Sequence, residues 1–140
     1  MMIMNELTLD ILTPSKSVFK GEIKSITVPG TKGSFQVLKN HAPIVSTFEI
    51  GMIKVELPDS KNNYYATAGG TIEVLDNEII VLADSIESVS DIDVERAEKA
   101  KQRAKERLAN KTSETNVLRA RAALARAINR LNVREKYSNE

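Results

Sequence analysis

The sequence predicts an α+β chain: an N-terminal antiparallel β-sandwich over residues 1–88, then a C-terminal antiparallel two-helix hairpin over residues 89–140. Three observations predict it. All six Gly and all four Pro lie in the first part, whereas nine of the thirteen Ala lie in the second, so turn formers and helix formers are sorted apart. Charge is sorted as well: residues 1–88 hold seven Lys, no Arg and eleven Asp or Glu, a net −4. Residues 89–140 hold five Lys, all eight Arg and eight acids, a net +5. The hydrophobic period also changes, from alternation to helical spacing, near residue 90.

The strands justify the first half. Leu7-Thr8-Leu9-Asp10-Ile11 alternates apolar and polar, as a half-buried strand should. Glu22 to Val28 follows and is ended by Pro29-Gly30. Ile53 to Leu57 alternates again and stops at Pro58-Asp59; Tyr64 to Thr67 leads into Gly69-Gly70. Thr71–Leu75 and Glu78–Leu82 are joined by Asp76-Asn77, a pair that predicts a tight hairpin turn with positive φ. Eight or more short strands with close-set turns make a sandwich or barrel-like module.

The helices justify the second. Ser90 is expected to cap helix one, with Asp93 three residues on completing an approximate capping box and Val89 and Val94 placed as a hydrophobic staple. Asp91, Asp93 and Glu95 put negative charge at the positive end of the helix dipole. Helix one is expected over residues 91–109, with a narrow stripe of Ala97, Ala100, Ala104 and Leu108. Asn110 to Ser113 breaks the pattern, and Thr112 or Ser113 is expected to cap helix two, which runs to about Arg134. Its stripe is Val117, Ala120, Leu124, Ala127, Ile128 and Leu131, with Arg119, Arg126 and Arg130 opposite. So few large apolar side chains stand against a large entropy of ordering. The hairpin is therefore expected to be conditional, docking or opening with its partners.

Composition also excludes functions. With no Cys there is no disulfide, thiolate nucleophile or sulfur-held metal, and the single His41 rules out a histidine metal cluster. No glycine loop matches a phosphate cradle and no carboxylate pair marks acid–base work, so no catalytic or metal site is expected. The opening Met1-Met2-Ile3-Met4 is expected to be neither a signal peptide nor a membrane span, with Met4 an alternative start.

The arginines carry the remaining signal. Arg96, Arg103 and Arg107 project within about 40° of one another on helix one, and Arg126 and Arg130 lie one turn apart on helix two. Folding the hairpin near residues 112–113 brings Arg96, Arg103, Arg126 and Arg130 toward one spot, a natural place for a polyanion. A solvated basic face paired with Glu95, Glu98 and Glu106 is the other reading of the same spacing. A nucleic-acid-binding module is a further alternative, opposed by interleaved acids and by Tyr137 being the only aromatic in this half.

Asp91-Ile92-Asp93-Val94-Glu95-Arg96-Ala97 after an all-β module resembles the epsilon subunit family of bacterial F-type ATP synthases, which shows an Ile/Leu-Asp-x-x-Arg-Ala motif here. Leu12-Thr13-Pro14, Asn40-His41-Ala42-Pro43, Ala68 to Val74 and Arg126 to Leu131 match in order over about 130 residues. The run Gly33 to His41 departs from the family's Gly-Glu-x-Gly-x-Leu-Pro-Gly-His, so contact details there are expected to differ. The resemblance implies a ten-stranded sandwich on the central rotor stalk, bound to gamma and the c-ring, at the cytoplasmic face of the bacterial membrane. It implies a non-catalytic subunit that couples rotation to proton translocation, with no nucleic acid and no required cofactor. The hairpin would inhibit ATP hydrolysis by extending its bases toward the catalytic beta subunits. When folded, it would bind regulatory ATP through Glu87, Ile92, Asp93, Arg96, Ala97, Arg103, Arg126 and Arg130.

Overall fold

The computed structural model describes residues 5–112 and 115–137. Ten strands come first: β1 Thr8–Leu12, β2 Ser17–Glu22, β3 Ser25–Val28, β4 Phe35–Leu38 and β5 Ile44–Phe48. They continue as β6 Gly51–Glu56, β7 Asn62–Thr67, β8 Gly70–Leu75, β9 Glu78–Ala83 and β10 Ile86–Ser88. A single 3-10 turn, Val89–Asp91, leads into α1 Val94–Ala109 and α2 Val117–Tyr137.

The strands form two five-stranded sheets, ordered β2-β1-β9-β8-β5 and β10-β7-β6-β3-β4. Alternation sets which side chains face inward. Leu9 and Ile11, Ile72 and Val74, and Ile79 and Val81 from the first sheet meet Ile26, Val28, Val37, Ile53 and Val55 from the second. All of these are essentially inaccessible to water, so the apolar core lies between the sheets. The antiparallel expectation needs one correction: β1 and β9 pair in parallel. Residues 1–88 also contain strands that alternation did not reveal, namely β2, β4, β5 and β10.

The β8–β9 turn is as expected. Asp76 and Asn77 both have positive φ, 50° and 65°, the geometry that lets a two-residue turn follow the strand twist. Gly70 is forced by a close approach: a Cβ there would collide with the Leu82 carbonyl oxygen and come within 2.9 Å of Ala83 Cα.

The helix starts differ from expectation. Ser90 lies inside the 3-10 turn, its hydroxyl hydrogen-bonded with Ser88 at 3.1 Å. The chain is then extended at Ile92, which delivers that side chain into a buried cluster with Tyr64, Ala66, Val89 and Val133. Only then does the helix begin. Asp93 is its cap, accepting from the Arg96 backbone N–H at 3.1 Å, and Val94 stays 43% exposed rather than stapling the turn.

Helix two likewise starts later, at Val117, and ends later, at Tyr137. Thr112 precedes it by too much to cap it; Asn116 does so instead, accepting from the Arg119 backbone N–H at 3.0 Å. Ser113 lies outside the described residues. Buried Ala97 and Ala104 on α1, and Ala120 and Ala127 on α2, let the two helices pack closely together. Leu124, Ile128 and Leu131 are only partly buried, whereas Val133, outside the expected stripe, is buried.

Candidate functional site

The hairpin lies folded on the outer face of the second sheet, with α2 packed on β6 and β7. This gives α2 a face that apolar spacing did not show. Asn129 Nδ2 donates to the Gly51 carbonyl at 2.9 Å and reaches the Thr67 carbonyl at 3.5 Å. Arg134 donates to the Val89 carbonyl at 3.0 Å. Val133 enters the buried cluster, and Tyr137 stacks on Tyr64. Arg126 and Arg130 therefore border the sandwich rather than facing away from it.

Glu87 ties the two halves of the site together. As the middle residue of β10 it pairs with Ala66 of β7, and its carboxylate forms an ion pair with the Arg130 guanidinium. Both side chains are partly exposed, at 30% and 42%, so the pair itself contributes only roughly 0.2–1 kcal/mol. Its geometric effect is larger, because it joins sandwich and hairpin at one point.

Six of the eight expected residues line one cleft at that point: Glu87, Ile92, Asp93, Arg96, Ala97 and Arg130. Ile92 and Ala97 form its apolar floor, each no more than 5% exposed. Arg126 borders an adjoining cleft that shares Glu87 and Arg130 and also includes Asn129 and Thr67. Arg103 meets the group only through Arg96, in a third cleft with Lys99 and Gln102. No one of these clefts takes all four arginines: Arg96 and Arg130 line the first, Arg126 and Arg130 the second, and Arg96 and Arg103 the third.

The first two clefts enclose ≈ 120 and ≈ 80 Å³, below the roughly 300–1,000 Å³ of an enclosed small-molecule pocket. A ligand here would lie along the groove, over Ile92 and Ala97 and beside Arg96 and Arg130, with the Glu87, Asp91 and Asp93 carboxylates also on the wall. Such an arrangement can hold a polyanion with an attached ring at its arginines. Among the described residues no group of three or more His, Cys, Asp or Glu is placed to hold a metal ion. His41 has a structural contact, its ring Nδ1 donating to the Ala42 carbonyl at 2.6 Å.

Sequence reasoning missed the docking contact of Asn129 and the Tyr64–Tyr137 pair, and it read Arg134 only as a base for the extended hairpin, not as a tie to Val89. Asn129 sits between the two arginines in sequence, but nothing in composition signals that its amide reaches backbone 78 residues away.

The family pattern described as ATP synthase, Delta/Epsilon chain, beta-sandwich domain matches residues 6–89. That of the long alpha-helix domain of the same chain matches residues 90–135. The ATP synthase epsilon chain of Desulforamulus reducens is 46% identical over 127 residues, covering 91% of this chain and 96% of that relative. The epsilon chain of Syntrophomonas wolfei is 40% identical over 128 residues, covering 91% and 93%. A chain of the Euglena gracilis mitochondrial ATP synthase OSCP/F1/c-ring assembly superposes with a TM-score of 0.74 at 20% identity, covering 86% of this chain and 76% of that one. A chain of the Tetrahymena thermophila mitochondrial ATP synthase central stalk and c-ring superposes at 0.56 with 14% identity, covering 96% and 98%. These two likenesses establish a shared fold.

Proposed function

Because the chain belongs to the ATP synthase delta/epsilon family and is an epsilon subunit, a non-catalytic part of the stalk, we propose that it is a rotor component whose hairpin senses ATP and restrains ATP hydrolysis. The sandwich docks on gamma and the c-ring, so that rotation stays coupled to proton translocation. The subunit is peripheral, at the cytoplasmic face of the bacterial membrane; among the described residues no helix is long and apolar enough to cross it.

One observation carries the regulatory reading. The arginine-lined groove is built from both halves of the chain: Glu87 comes from β10, Arg96 from α1, and Arg126 and Arg130 from α2. It exists only while the hairpin is folded. A ligand that binds there favours the folded arrangement by its differential affinity, and by no more than that. ATP fits the groove's chemistry. Arg126 and Arg130 meet the phosphates, Arg103 swings in from its separate cleft when the ligand binds, Asp93 and Arg96 fix the geometry, and Ile92 and Ala97 border the base. Magnesium is not required, since guanidinium groups neutralise the phosphates. At low ATP the hairpin opens, and its bases reach the catalytic beta subunits and block rotation in the hydrolysis direction.

Calorimetry tests the site. Full-length protein is expected to bind ATP without hydrolysing it, with or without magnesium. Arg126→Ala is expected to weaken binding by about 1.5–3 kcal/mol, the worth of a charge-assisted bond. No binding at millimolar ATP, or equal binding by the variant, counts against the groove as the site.

A further inference from the structure

We propose that the last turn of α2 is a latch, in which Tyr137 stacked on Tyr64 holds the hairpin down through a contact that uses none of the groove arginines. The inference rests on the proposed folded and released arrangements of the hairpin. The two rings lie with centroids 4.1 Å apart and planes 17° apart, and such aromatic pairs stabilise beyond the area they bury.

The position of the pair gives it leverage. α1 packs on α2, and α2 carries the packing of the hairpin on β6 and β7. The sandwich-facing row of α2 runs through Arg126, Asn129, Arg130, Val133, Arg134 and Tyr137. Its first half borders the groove and its second half is the clasp. The clasp is built without any groove arginine: Val133 and Tyr137 close over Tyr64, Ala66 and Met52, and Arg134 fastens to the Val89 carbonyl. Tyr64 is only 7% exposed, so departure of Tyr137 would open an aromatic ring on the sheet to water. A rigid helix pinned at two places is released only when both let go. The aromatic clasp accordingly sets how far the hairpin opens when the groove is empty.

The test is hydrogen–deuterium exchange on the full-length chain without nucleotide, comparing the natural protein with Tyr137→Ala and Tyr137→Phe. An undocked helix with few large apolar residues is marginal in water and exchanges quickly, so the amides of residues 126–133 report docking well upstream of the substitution. Tyr137→Ala is expected to speed their exchange roughly tenfold. Tyr137→Phe, which keeps the ring, should stay close to the natural protein, and amides of β1 and β9 should be unchanged in both. Faster exchange confined to residues 134–137 would reduce the contact to local fraying and overturn the latch. Unchanged exchange in Tyr137→Ala, or equal acceleration in Tyr137→Phe, would overturn it too. Because no nucleotide is present, these outcomes are separate from whether ATP binds the groove.

Discussion

Asn77 combines two properties that no other single side chain supplies at that place. Its φ of 65° lies in the left-handed region that asparagine tolerates. Its side chain also accepts from the Asn40 backbone N–H at 2.6 Å and donates to the Asn5 carbonyl and the Asn40 side-chain oxygen, each at 3.1 Å. Asn77→Ala is expected to destabilise the sandwich by about 2–4 kcal/mol, from backbone strain plus unmade bonds. Asn77→Gly should recover part of this, because glycine relieves only the strain. Denaturant unfolding checks both, and a shift below about 0.5 kcal/mol for Asn77→Ala would show the network to be dispensable. The turn was legible in the sequence, since an Asp-Asn pair between two alternating runs demands positive φ. The network was not, because its partners lie 37 and 72 residues away. The same limit hid Asn129. Local pattern reports conformation and facing, while contacts between distant segments need the topology first.

At the scale of elements, the core between the sheets is drawn entirely from residues 7–86, and β10 completes the second sheet at Ser88. A chain of residues 1–88 is therefore expected to fold alone, with β-type circular dichroism and one cooperative melt. Loss of cooperativity would make the hairpin part of the core after all. What truncation exposes is the outer patch of Met52, Tyr64 and Ala66, so reduced solubility is expected alongside. The long alternating strands were readable; β2 was not, because its half-exposed edge position shows no clean alternation, and three-residue β10 is too short to carry a period. On α2, apolar spacing pointed to the face toward α1. The face toward the sandwich is built from Arg, Asn and Tyr with Val133 as its one large buried apolar residue, too little for a hydrophobic stripe to register. This changes which bases are free to serve the proposed inhibition. Arg119 and Arg121 are exposed on the folded hairpin, whereas Arg134 fastens it to Val89. Replacing Arg119 and Arg121 with Ala is expected to weaken inhibition while leaving nucleotide binding intact. Arg134→Ala, by contrast, should loosen docking by about 1–2 kcal/mol. Hydrolysis assays beside exchange measurements separate the two, and identical behaviour of the variants would contradict the assignment.

For the whole molecule, an acidic sandwich and a basic hairpin, net −4 and +5, attract one another when folded. In the proposed released arrangement the hairpin would present its bases to another acidic surface. The family and the two-part fold were legible from the sequence, because landmark motifs recur in order along nearly the whole chain. The arginines were legible only as a convergence, because their division among adjoining clefts depends on where Glu87 of β10 meets Arg130. The central claim is that the folded hairpin permits hydrolysis, the released hairpin restrains it, and ATP shifts the balance. The most direct measurement is ATP hydrolysis by the assembled complex carrying either the full-length subunit or residues 1–88, across low and high ATP. Assembly should be equal for both chains. The truncated subunit should give faster hydrolysis at low ATP, and the difference should narrow as ATP rises. Equal rates at every ATP concentration would contradict the claim and leave the hairpin a passive structural tail.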